Sequence, residues 1–175
     1  GKCARGLMKL VATSIKTPWV PISVIVDIEK YPVVRACAFE PLDKLMKKAG
    51  PEFTKSTLKS VTKIDTVSQA IKSWLDGDLD AMNSLQVLQP GGEFTQDVYV
   101  ALRKVKAGNV ISYQDLARRA GRPLAMRAAG TAMRTNLIAP IIPCHRVIKS
   151  TGEIGNYGFG VSLKQQLLLH EGVEF

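Results

Sequence analysis

Short β-branched runs and segments of helical periodicity alternate over residues 1–89. The runs "WVPISVIVDIE" (19–29) and "PVVRACAFE" (32–40) are separated by the turn-forming "KYP", and they predict two neighbouring strands. The segment "PLDKLMKKAG" (41–50) predicts a short helix that ends at its glycine. The first part of the chain is therefore expected to form a small α/β unit.

A second helix of this unit is predicted after Thr66. Gln69 follows Thr66 by three residues, which is the spacing of a capping box. Four apolar side chains then share one helical face: Val67, Ile71, Trp74 and Leu75. Further along, the Pro-Gly-Gly tripeptide at 90–92 is the best candidate for a linker. We therefore predict an N-terminal α/β domain over residues 1–89 and a second domain over residues 90–175.

The second domain has a mostly helical pattern. Three segments predict helices: "EFTQDVYVALRKVKAG" (93–108), "SYQDLARRAG" (112–121) and "AMRAAGTAMRTN" (125–136). Asp115 follows Ser112 by three residues and predicts another capping box. Two helices joined by a short Gly/Pro turn are typical of a helix-turn-helix, a pattern that ordinary αα-hairpins share. We expect an α+β chain whose C-terminal domain contains a winged-helix-like helix-turn-helix.

Basic residues are concentrated in one window of this second domain. The whole chain has 24 Lys and Arg residues, 15 Asp and Glu residues and a formal net charge of +9. Between Arg103 and Lys149 there are ten basic residues and a single acid, Asp115, so the remainder of the chain is close to neutral. The basic positions are 103, 104, 106, 118, 119, 122, 127, 134, 146 and 149. Such a concentration favours a nucleic-acid partner over a solvated basic face.

The cysteines and the apolar runs exclude several classes of protein. Cys3, Cys37 and Cys144 are far apart and odd in number, which argues against a disulfide framework and for a reducing compartment. With two histidines and no C-x-x-C spacing, no metal site is expected. No apolar run approaches the roughly 20 residues of a membrane span, and no signal peptide is expected, because the first residues lack a basic segment followed by an apolar one. Residues 1–7 are interpreted as a processed or added end, so Cys3 is given no role.

The stretch "PIIPCHRVIK" (140–149) puts a cysteine directly beside a histidine. Taken alone, Cys144 is best explained as a small core residue with His145 as its hydrogen-bonded neighbour, because free cysteine is often buried. The preceding helix changes this interpretation. It is rich in alanine and glycine and carries Arg127, so it allows close approach to a nucleic-acid backbone. A guanidinium plane there can fill the gap that an extruded base leaves in the stack.

These segments, in this order, resemble the O6-alkylguanine-DNA alkyltransferases, also called methylated-DNA–protein-cysteine methyltransferases. The resemblance is carried by "SYQDLARRAG", "AMRAAGTAMRTN" and "PIIPCHRVI", and it extends closely over residues 93–172. Residues 1–89 are similar only loosely, through "TPW" and "AIKSWLDGDL". The resemblance implies repair of duplex DNA by a monomer without a cofactor. An alkyl group moves irreversibly from O6 of a flipped guanine onto a cysteine of the protein.

The resemblance also assigns roles by position in the shared segments. Cys144 is the alkyl acceptor, His145 is its base through a bound water, and Glu171 is the carboxylate that orients the histidine. Asn136 holds the active-site turn, and Tyr113 donates a proton or a hydrogen bond to the departing guanine. The implied DNA-contacting residues are Met126, Arg127, Ala128, Ala129, Gly130 and Arg134. The implied walls of the alkyl pocket are Pro143, Val147, Tyr157, Gly158 and Phe159.

Elementary chemistry agrees with these roles. A free thiol with a pKa of about 8.5 is only slightly ionised at pH 7, and an imidazole held by a carboxylate favours the reactive thiolate. The departing guanine needs a proton, which a phenol such as that of Tyr113 can supply. The thioether product has no easy reverse reaction, so one transfer consumes one protein.

Three positions near the site need separate comment. Gly158 stands where some family members have a serine that contacts the base, so this contact is expected from the backbone alone. Phe159 puts a ring where relatives often have a small residue, and we expect it to narrow the pocket and disfavour bulky adducts such as benzyl. Lys164 matches a family lysine near the site whose function is less certain.

Three other functions remain open from the sequence. A DNA-binding regulator whose cysteine senses redox state fits the helix pair and the charge, but it leaves Tyr113, Asn136 and His145 unexplained. A cysteine hydrolase would use Cys144, His145 and Glu171, although adjacent Cys and His residues rarely give direct nucleophile–base geometry. A catalytically inactive relative that binds lesions is disfavoured because Cys144 is present. The expected location is the cytoplasm, or the nucleus of a eukaryote.

Overall fold

The structure, a computed structural model, describes residues 8–174. The interpretation of residues 1–7 and of Cys3 therefore lies outside the described residues. The described part is a mixed α/β fold with six α-helices, a five-stranded sheet and a two-stranded sheet. Within it, no helix combines the length and the apolar character needed to cross a bilayer.

The chain divides into two compact units. The first contains the described residues up to Gln89 together with Leu137–Ala139. The second contains Pro90–Asn136 and the described residues from Pro140 onward. The assignment of separate tasks to two domains stays a prediction.

The first unit is a five-stranded sheet with two helices. Its elements are β1 (Leu10–Ile15), β2 (Ile22–Asp27), β3 (Val33–Ala38), α1 (Leu42–Ala49), β4 (Leu58–Ser60), α2 (Val67–Leu75) and β5 (Gln86–Val87). The strand order is β4-β1-β2-β3-β5, with antiparallel pairing of β1, β2 and β3 and parallel pairing of both edge strands. Ile25, Ile71 and Trp74 are fully buried and lie in the core of this unit.

Most predicted elements of the first unit are confirmed. The two predicted strands exist with narrower bounds, as β2 and β3, and α1 ends at Gly50. The φ angle of Gly50 is 125°, a backbone conformation that favours glycine. The helix after Thr66 is confirmed as α2, but its capping box is wrong, because the Thr66 side chain makes no cap hydrogen bond. The hydroxyl of Ser68 instead accepts a hydrogen bond from the amide of Ile64 at 2.8 Å.

A short segment from late in the sequence completes the first unit. Ile138 forms a parallel bridge with Cys37 of β3. The Cys37 amide donates to the carbonyl of Leu137 at 2.8 Å, and the Ala139 amide donates to the carbonyl of Cys37 at 3.0 Å. Cys37 is fully buried, and burial raises the pKa of its thiol far above its usual value. Cys37 is therefore a structural cysteine without nucleophilic character.

The second unit is mostly helical. Its elements are α3 (Glu93–Arg103), β6 (Ile111–Ser112), α4 (Tyr113–Arg119), α5 (Met126–Thr135), β7 (Val147–Ile148) and α6 (Val161–His170). The three predicted helices are confirmed as α3, α4 and α5, and β6 pairs in parallel with β7. The Ser112 hydroxyl caps α4 by accepting a hydrogen bond from the Asp115 amide at 3.0 Å, as the sequence predicts.

Candidate active site around Cys144

Cys144 begins a single turn of 3-10 helix in the second unit, Cys144–Arg146. Backbone hydrogen bonds close this turn: the Arg146 amide donates to the carbonyl of Pro143 at 2.9 Å, and the Cys144 amide donates to that of Ile142 at 2.9 Å. Ile141 and Ile142 of "PIIP" are 5% and 1% exposed, so apolar burial anchors the approach to the turn. The Cys144 side chain is consequently buried and held in one place.

Asn136 connects the end of α5 with this turn. It is the residue at which α5 ends, with an extended backbone of φ −60° and ψ 120°. Its side-chain amide donates to the carbonyl of Ile142 at 3.0 Å and lies 3.4 Å from the sulfur of Cys144, which is within hydrogen-bond distance for sulfur. An N–H group directed at sulfur favours the thiolate over the thiol.

His145 and Glu171 form a fully buried pair. Nε2 of His145 lies 2.8 Å from Oε1 of Glu171, and neither side chain is exposed to solvent. Because an ionised carboxylate only accepts hydrogen bonds, we assign the proton of the neutral imidazole to Nε2. Nδ1 is then the basic nitrogen, and it is buried with no hydrogen-bond partner among residues 8–174. The histidine therefore has one nitrogen held by the carboxylate and one nitrogen able to accept a proton.

The charges of this pair follow from its surroundings. Burial lowers the pKa of His145 below its usual value, although the neighbouring Glu171 charge acts in the opposite direction. Burial alone would raise the pKa of Glu171, but His145 and Arg146 together hold it well below its usual range. The pair is therefore a neutral imidazole and a carboxylate at neutral pH, which is the state that a general base needs.

Arg146 is a structural partner of this pair that the sequence did not identify. Its Nε donates to Oε1 of Glu171 at 2.9 Å and its terminal nitrogen donates to Oε2 at 2.6 Å, which is a bidentate pair. The other terminal nitrogen donates to the carbonyl of Val105 at 2.7 Å. Arg146 is only 4% exposed, so it does not belong to the basic surface although it lies in the basic window. A separation of 25 residues carries no local periodicity, so the sequence held no signal for the pair.

Lys164 places a buried cation near the thiol. Its side chain is fully buried, and Nζ donates to the carbonyls of Val147 at 2.6 Å and Asn156 at 3.0 Å. Burial lowers the pKa of Lys164 to about 8. Burial raises the pKa of the Cys144 thiol, and the Asn136 amide and the Lys164 charge oppose this only in part. The resting side chain is therefore a thiol, whose proton must leave before the sulfur can attack.

Two tyrosines are coupled electrostatically to Cys144. Tyr113 begins α4 and is partly buried; burial and the Cys144 charge raise its pKa, whereas Arg134 lowers it. Its phenol therefore keeps a proton that it can donate at neutral pH. Tyr99, which the sequence did not single out, is buried in α3, and its hydroxyl donates to the carbonyl of Ala132 at 2.9 Å. This bond ties α3 to the last turns of α5.

The predicted DNA-contacting residues divide between two sides of α5. Three are exposed: Met126, Arg127 and Ala128. Ala129 is fully buried, so its side chain faces the interior of the unit instead. A Cβ atom at Gly130 would lie 3.7 Å from the Arg134 guanidinium, which is an ordinary contact, so packing within the chain does not require this glycine. Arg134 is exposed and donates to the hydroxyl of Thr131 at 2.8 Å.

The predicted pocket walls come from two segments of the second unit. Pro143 and Val147 are buried on either side of the 3-10 turn. The rings of Tyr157 and Phe159 pack edge to face with their centroids 5.5 Å apart. Gly158 is exposed between them, and a Cβ atom there would meet nothing within 4 Å. Packing therefore leaves room for a larger residue at this position.

Four of the five predicted catalytic residues are joined by direct contacts. Asn136 contacts Cys144, and His145, the next residue of the chain, contacts Glu171. Tyr113 is coupled to the thiol through charge. The set offers a nucleophile, a base and an acid, and the roles of its members stay predictions. In the part of the chain that the structure describes, no group of three or more His, Cys, Asp or Glu side chains is placed to hold a metal ion.

Acid should destabilise the second unit through its buried pair. The pKa of His145 is lower in the folded protein than the value of about 6.5 in an unfolded chain, so the unfolded chain binds the proton first and stability falls below about pH 6.5. The depressed pKa of Glu171 adds a further loss below about pH 4.3. Urea unfolding followed by far-UV circular dichroism measures the free energy of unfolding at each pH. Between pH 7 and 5 this free energy should fall less for His145→Gln than for the wild type. If the free energy of unfolding depended on pH in the same way in both proteins, His145 would not be the group responsible.

Comparison with known proteins gives consistent results across both units. A family model described as the DNA-binding domain of 6-O-methylguanine DNA methyltransferase matches residues 93–173. The methylated-DNA–protein-cysteine methyltransferase of Shigella flexneri is 32% identical over 169 residues, which cover 95% of this chain and 98% of that protein. The Homo sapiens protein of the same name is 54% identical over 80 residues, which are 45% of this chain and 39% of that protein.

A solved structure shows the same fold over nearly the whole chain. It is the Mycobacterium tuberculosis OGT in complex with DNA, with a TM-score of 0.73 and 26% sequence identity. The match covers 93% of this chain and 93% of that one. The likeness is therefore not confined to the segment that the family model matches.

Proposed function

The chain belongs to the methylated-DNA–protein-cysteine methyltransferase family, and we propose that it repairs duplex DNA by moving an alkyl group from O6 of guanine onto Cys144. The observation that carries this proposal is the arrangement around the thiol. The sulfur of Cys144 lies against the Asn136 amide, and the next residue is a neutral histidine with one basic nitrogen left unpartnered among the described residues. A structural cysteine such as Cys37 has no such surroundings.

The reaction begins with the loss of the thiol proton. Nδ1 of His145 accepts this proton, directly or through a water molecule, while Glu171 holds Nε2 and stabilises the imidazolium that forms. The Asn136 amide and the Lys164 charge stabilise the resulting thiolate. Arg146 keeps Glu171 ionised and oriented throughout.

Alkyl transfer is a displacement at carbon. The thiolate of Cys144 forms the new S–C bond, and the C–O6 bond of the guanine breaks with its electron pair remaining on the base. The phenol of Tyr113, whose raised pKa keeps it protonated, donates a proton or a hydrogen bond to the departing guanine. The product is a thioether, whose C–S bond is not readily broken in a reverse reaction. Each protein molecule therefore acts once.

The second unit would supply the DNA contacts. We infer that α4 and α5 form a winged helix-turn-helix whose exposed face, with Arg127, enters the duplex while the alkylated nucleotide is flipped out. The excess of basic side chains around these helices can bind the phosphates that flank the lesion. We also infer that the protein acts as a monomer without a cofactor, in whichever compartment holds the DNA.

A single incubation tests this function. The protein is mixed with a duplex carrying one O6-methylguanine, and its intact mass and peptide map are measured over time. We expect each molecule to gain one methyl group at Cys144, with no further turnover when the duplex is in excess. The same duplex with ordinary guanine is the control. Methylation of Cys37, or no mass change, would refute the assignment.

The same assay separates the competing functions. A redox-sensing regulator would bind one DNA sequence in preference to others and would gain no methyl group. A cysteine hydrolase would turn over repeatedly on an ester or amide substrate. Neither behaviour requires an alkylated base.

Phe159 is expected to restrict the size of the alkyl group. Its ring packs against that of Tyr157, and the family resemblance places both rings in the wall of the alkyl pocket, where a glycine would take up less space. We expect transfer of a benzyl group to be slower than transfer of a methyl group, and Phe159→Gly to raise the benzyl rate about 10-fold relative to the methyl rate. Single-turnover rates with the two duplexes measure this ratio. Equal rates of benzyl and methyl transfer in the wild type would contradict the expectation that Phe159 restricts the alkyl group.

A further inference from the structure

Leu124 is the most exposed large apolar side chain among residues 8–174. It is 99% exposed, whereas the next, Tyr31, is 60% exposed. Single exposed leucines are common on protein surfaces and need no special explanation. Two further features distinguish this one: the turn that carries it is held in place, and the charged residues that flank it in the sequence are almost all arginines.

The turn between α4 and α5 presents Leu124 in a fixed position. The Ala125 amide donates to the carbonyl of Arg122 at 3.0 Å, which closes a four-residue turn with Pro123 at its second position. The Arg122 amide donates to the carbonyl of Ala117 at 3.0 Å, which joins this turn to the end of α4. The backbone around Leu124 is therefore ordered before any partner binds, which lowers the entropy cost of an interaction.

The Arg122 side chain anchors the turn a second time. Its guanidinium lies over the ring of Phe94, 5.4 Å from the centroid. The turn is thus attached to α3 as well as to α4.

The charged side chains near Leu124 in the chain are mostly arginines. Four flank it: Arg118, Arg119, Arg122 and Arg127. Asp115 is the one acid of the window and is paired with Arg118 at 3.3 Å. An exposed leucine flanked by arginines is complementary to a partner whose anionic groups border apolar grooves. Duplex DNA has this chemistry, since phosphates border grooves lined by sugar edges and base steps, and apolar wedges are known to enter the minor groove.

We propose that Leu124 is an apolar contact of this protein with the DNA minor groove. It lies in the turn that directly precedes α5, the helix that carries Arg127. This inference rests on the proposed function, and it adds to the phosphate contacts an interaction that involves no charge. Leu124 packs against the sugars or a base step next to the lesion site. Its contribution to affinity is therefore independent of counterion release.

The salt dependence of binding is the discriminating measurement. Fluorescence anisotropy with unmodified and O6-methylguanine duplexes, at several salt concentrations, gives the affinity and the slope of log K against log salt. For Leu124→Ser we expect about 10-fold weaker binding to both duplexes, with an unchanged slope, because an apolar contact but no phosphate contact is lost. Arg119→Gln should instead reduce the slope by about one.

Two variants control for structural effects. Leu169→Ser removes another exposed leucine of the same unit, 43% exposed on α6, and should leave DNA affinity unchanged. Leu124→Met keeps an apolar tip and should retain most of the wild-type affinity. Thermal unfolding of Leu124→Ser and Leu124→Met should match the wild type, since a side chain 99% exposed makes no packing contribution to lose.

Several results would overturn the inference. Wild-type affinity in Leu124→Ser, a reduced salt slope in that variant, or an equal loss in Leu169→Ser would each do so. Leu124-dependent binding to anionic phosphatidylserine vesicles together with Leu124-independent binding to DNA would assign the tip to a lipid surface instead. If the wild type neither bound duplex DNA nor gained a methyl group, the proposed function itself would be wrong. If the wild type did both and Leu124→Ser bound DNA with the same affinity, only the inference about Leu124 would be wrong.

Discussion

Replacing His145 by glutamine should lower the rate of methyl transfer about 10²- to 10⁴-fold, the usual contribution of a general base. The glutamine amide can still donate to Oε1 of Glu171 in place of Nε2, so the buried carboxylate keeps that partner. What the variant lacks is the basic Nδ1 nitrogen, which has no other partner among the described residues. The burial that raises the pKa of the Cys144 thiol makes this loss severe, because little thiolate exists without a base.

Single-turnover rates with an O6-methylguanine duplex measure this effect. DNA affinity should stay the same, because His145 is fully buried and does not face solvent. The remaining activity should increase with pH as hydroxide replaces the missing base, whereas the wild-type rate should level off once the imidazole is neutral. A variant rate within about threefold of the wild type would show that proton removal from Cys144 does not depend on His145.

Replacing Arg146 by methionine should lower the free energy of unfolding of the second unit by about 3–5 kcal/mol, the usual cost of leaving one charge of a buried pair alone. Glu171 would lose both bonds of the bidentate pair, at 2.9 and 2.6 Å, while remaining fully buried. The carbonyl of Val105 would lose its donor as well. Methionine has a similar length and fills the space, so the loss reports on charge and hydrogen bonding more than on volume.

The probe must report on the second unit. Both tryptophans of the chain, Trp19 and Trp74, belong to the first unit, so tryptophan fluorescence would follow the wrong part of the molecule. Far-UV circular dichroism in urea is suitable because α3, α4, α5 and α6 all lie in the second unit. The double variant Arg146→Met/Glu171→Leu removes both charges and should be more stable than Arg146→Met alone. A single variant within about 1 kcal/mol of the wild type would show that the pair is not needed for stability.

Hydrophobic periodicity and capping signals predicted the longer elements of this chain well. Each of the five predicted helices exists, and the serine cap before α4 has the predicted hydrogen bond, whereas the ten-residue helix α6 was not predicted. These signals are local: a helical face or a cap involves residues within one or two turns of each other. The Thr66 cap shows the limit of such reasoning, because its backbone adopts φ 63° and the side chain makes no cap bond.

Three strands of the first unit were not predicted, and each owes its existence to distant partners. The segment "LVATSI" has no strict alternation, yet β1 is a central strand because β2 and β4 pair with both of its edges. The strands β4 and β5 have three and two residues, which is too short for a periodic signal. Their pairing is decided by the neighbouring strands rather than by their own composition.

By itself, the sequence determined the helices α3, α4 and α5, the basic window and the family to which the chain belongs. These three features could be determined because each depends on residue types that are close together in the chain or that follow one another in a fixed order. Only the tertiary structure decided that Arg146 faces Glu171 rather than DNA, that Lys164 lies buried near the thiol, and that Leu137–Ala139 joins the first unit. These outcomes depend on the desolvation of charges and on backbone pairing between residues far apart in the chain, and no local pattern records either of them.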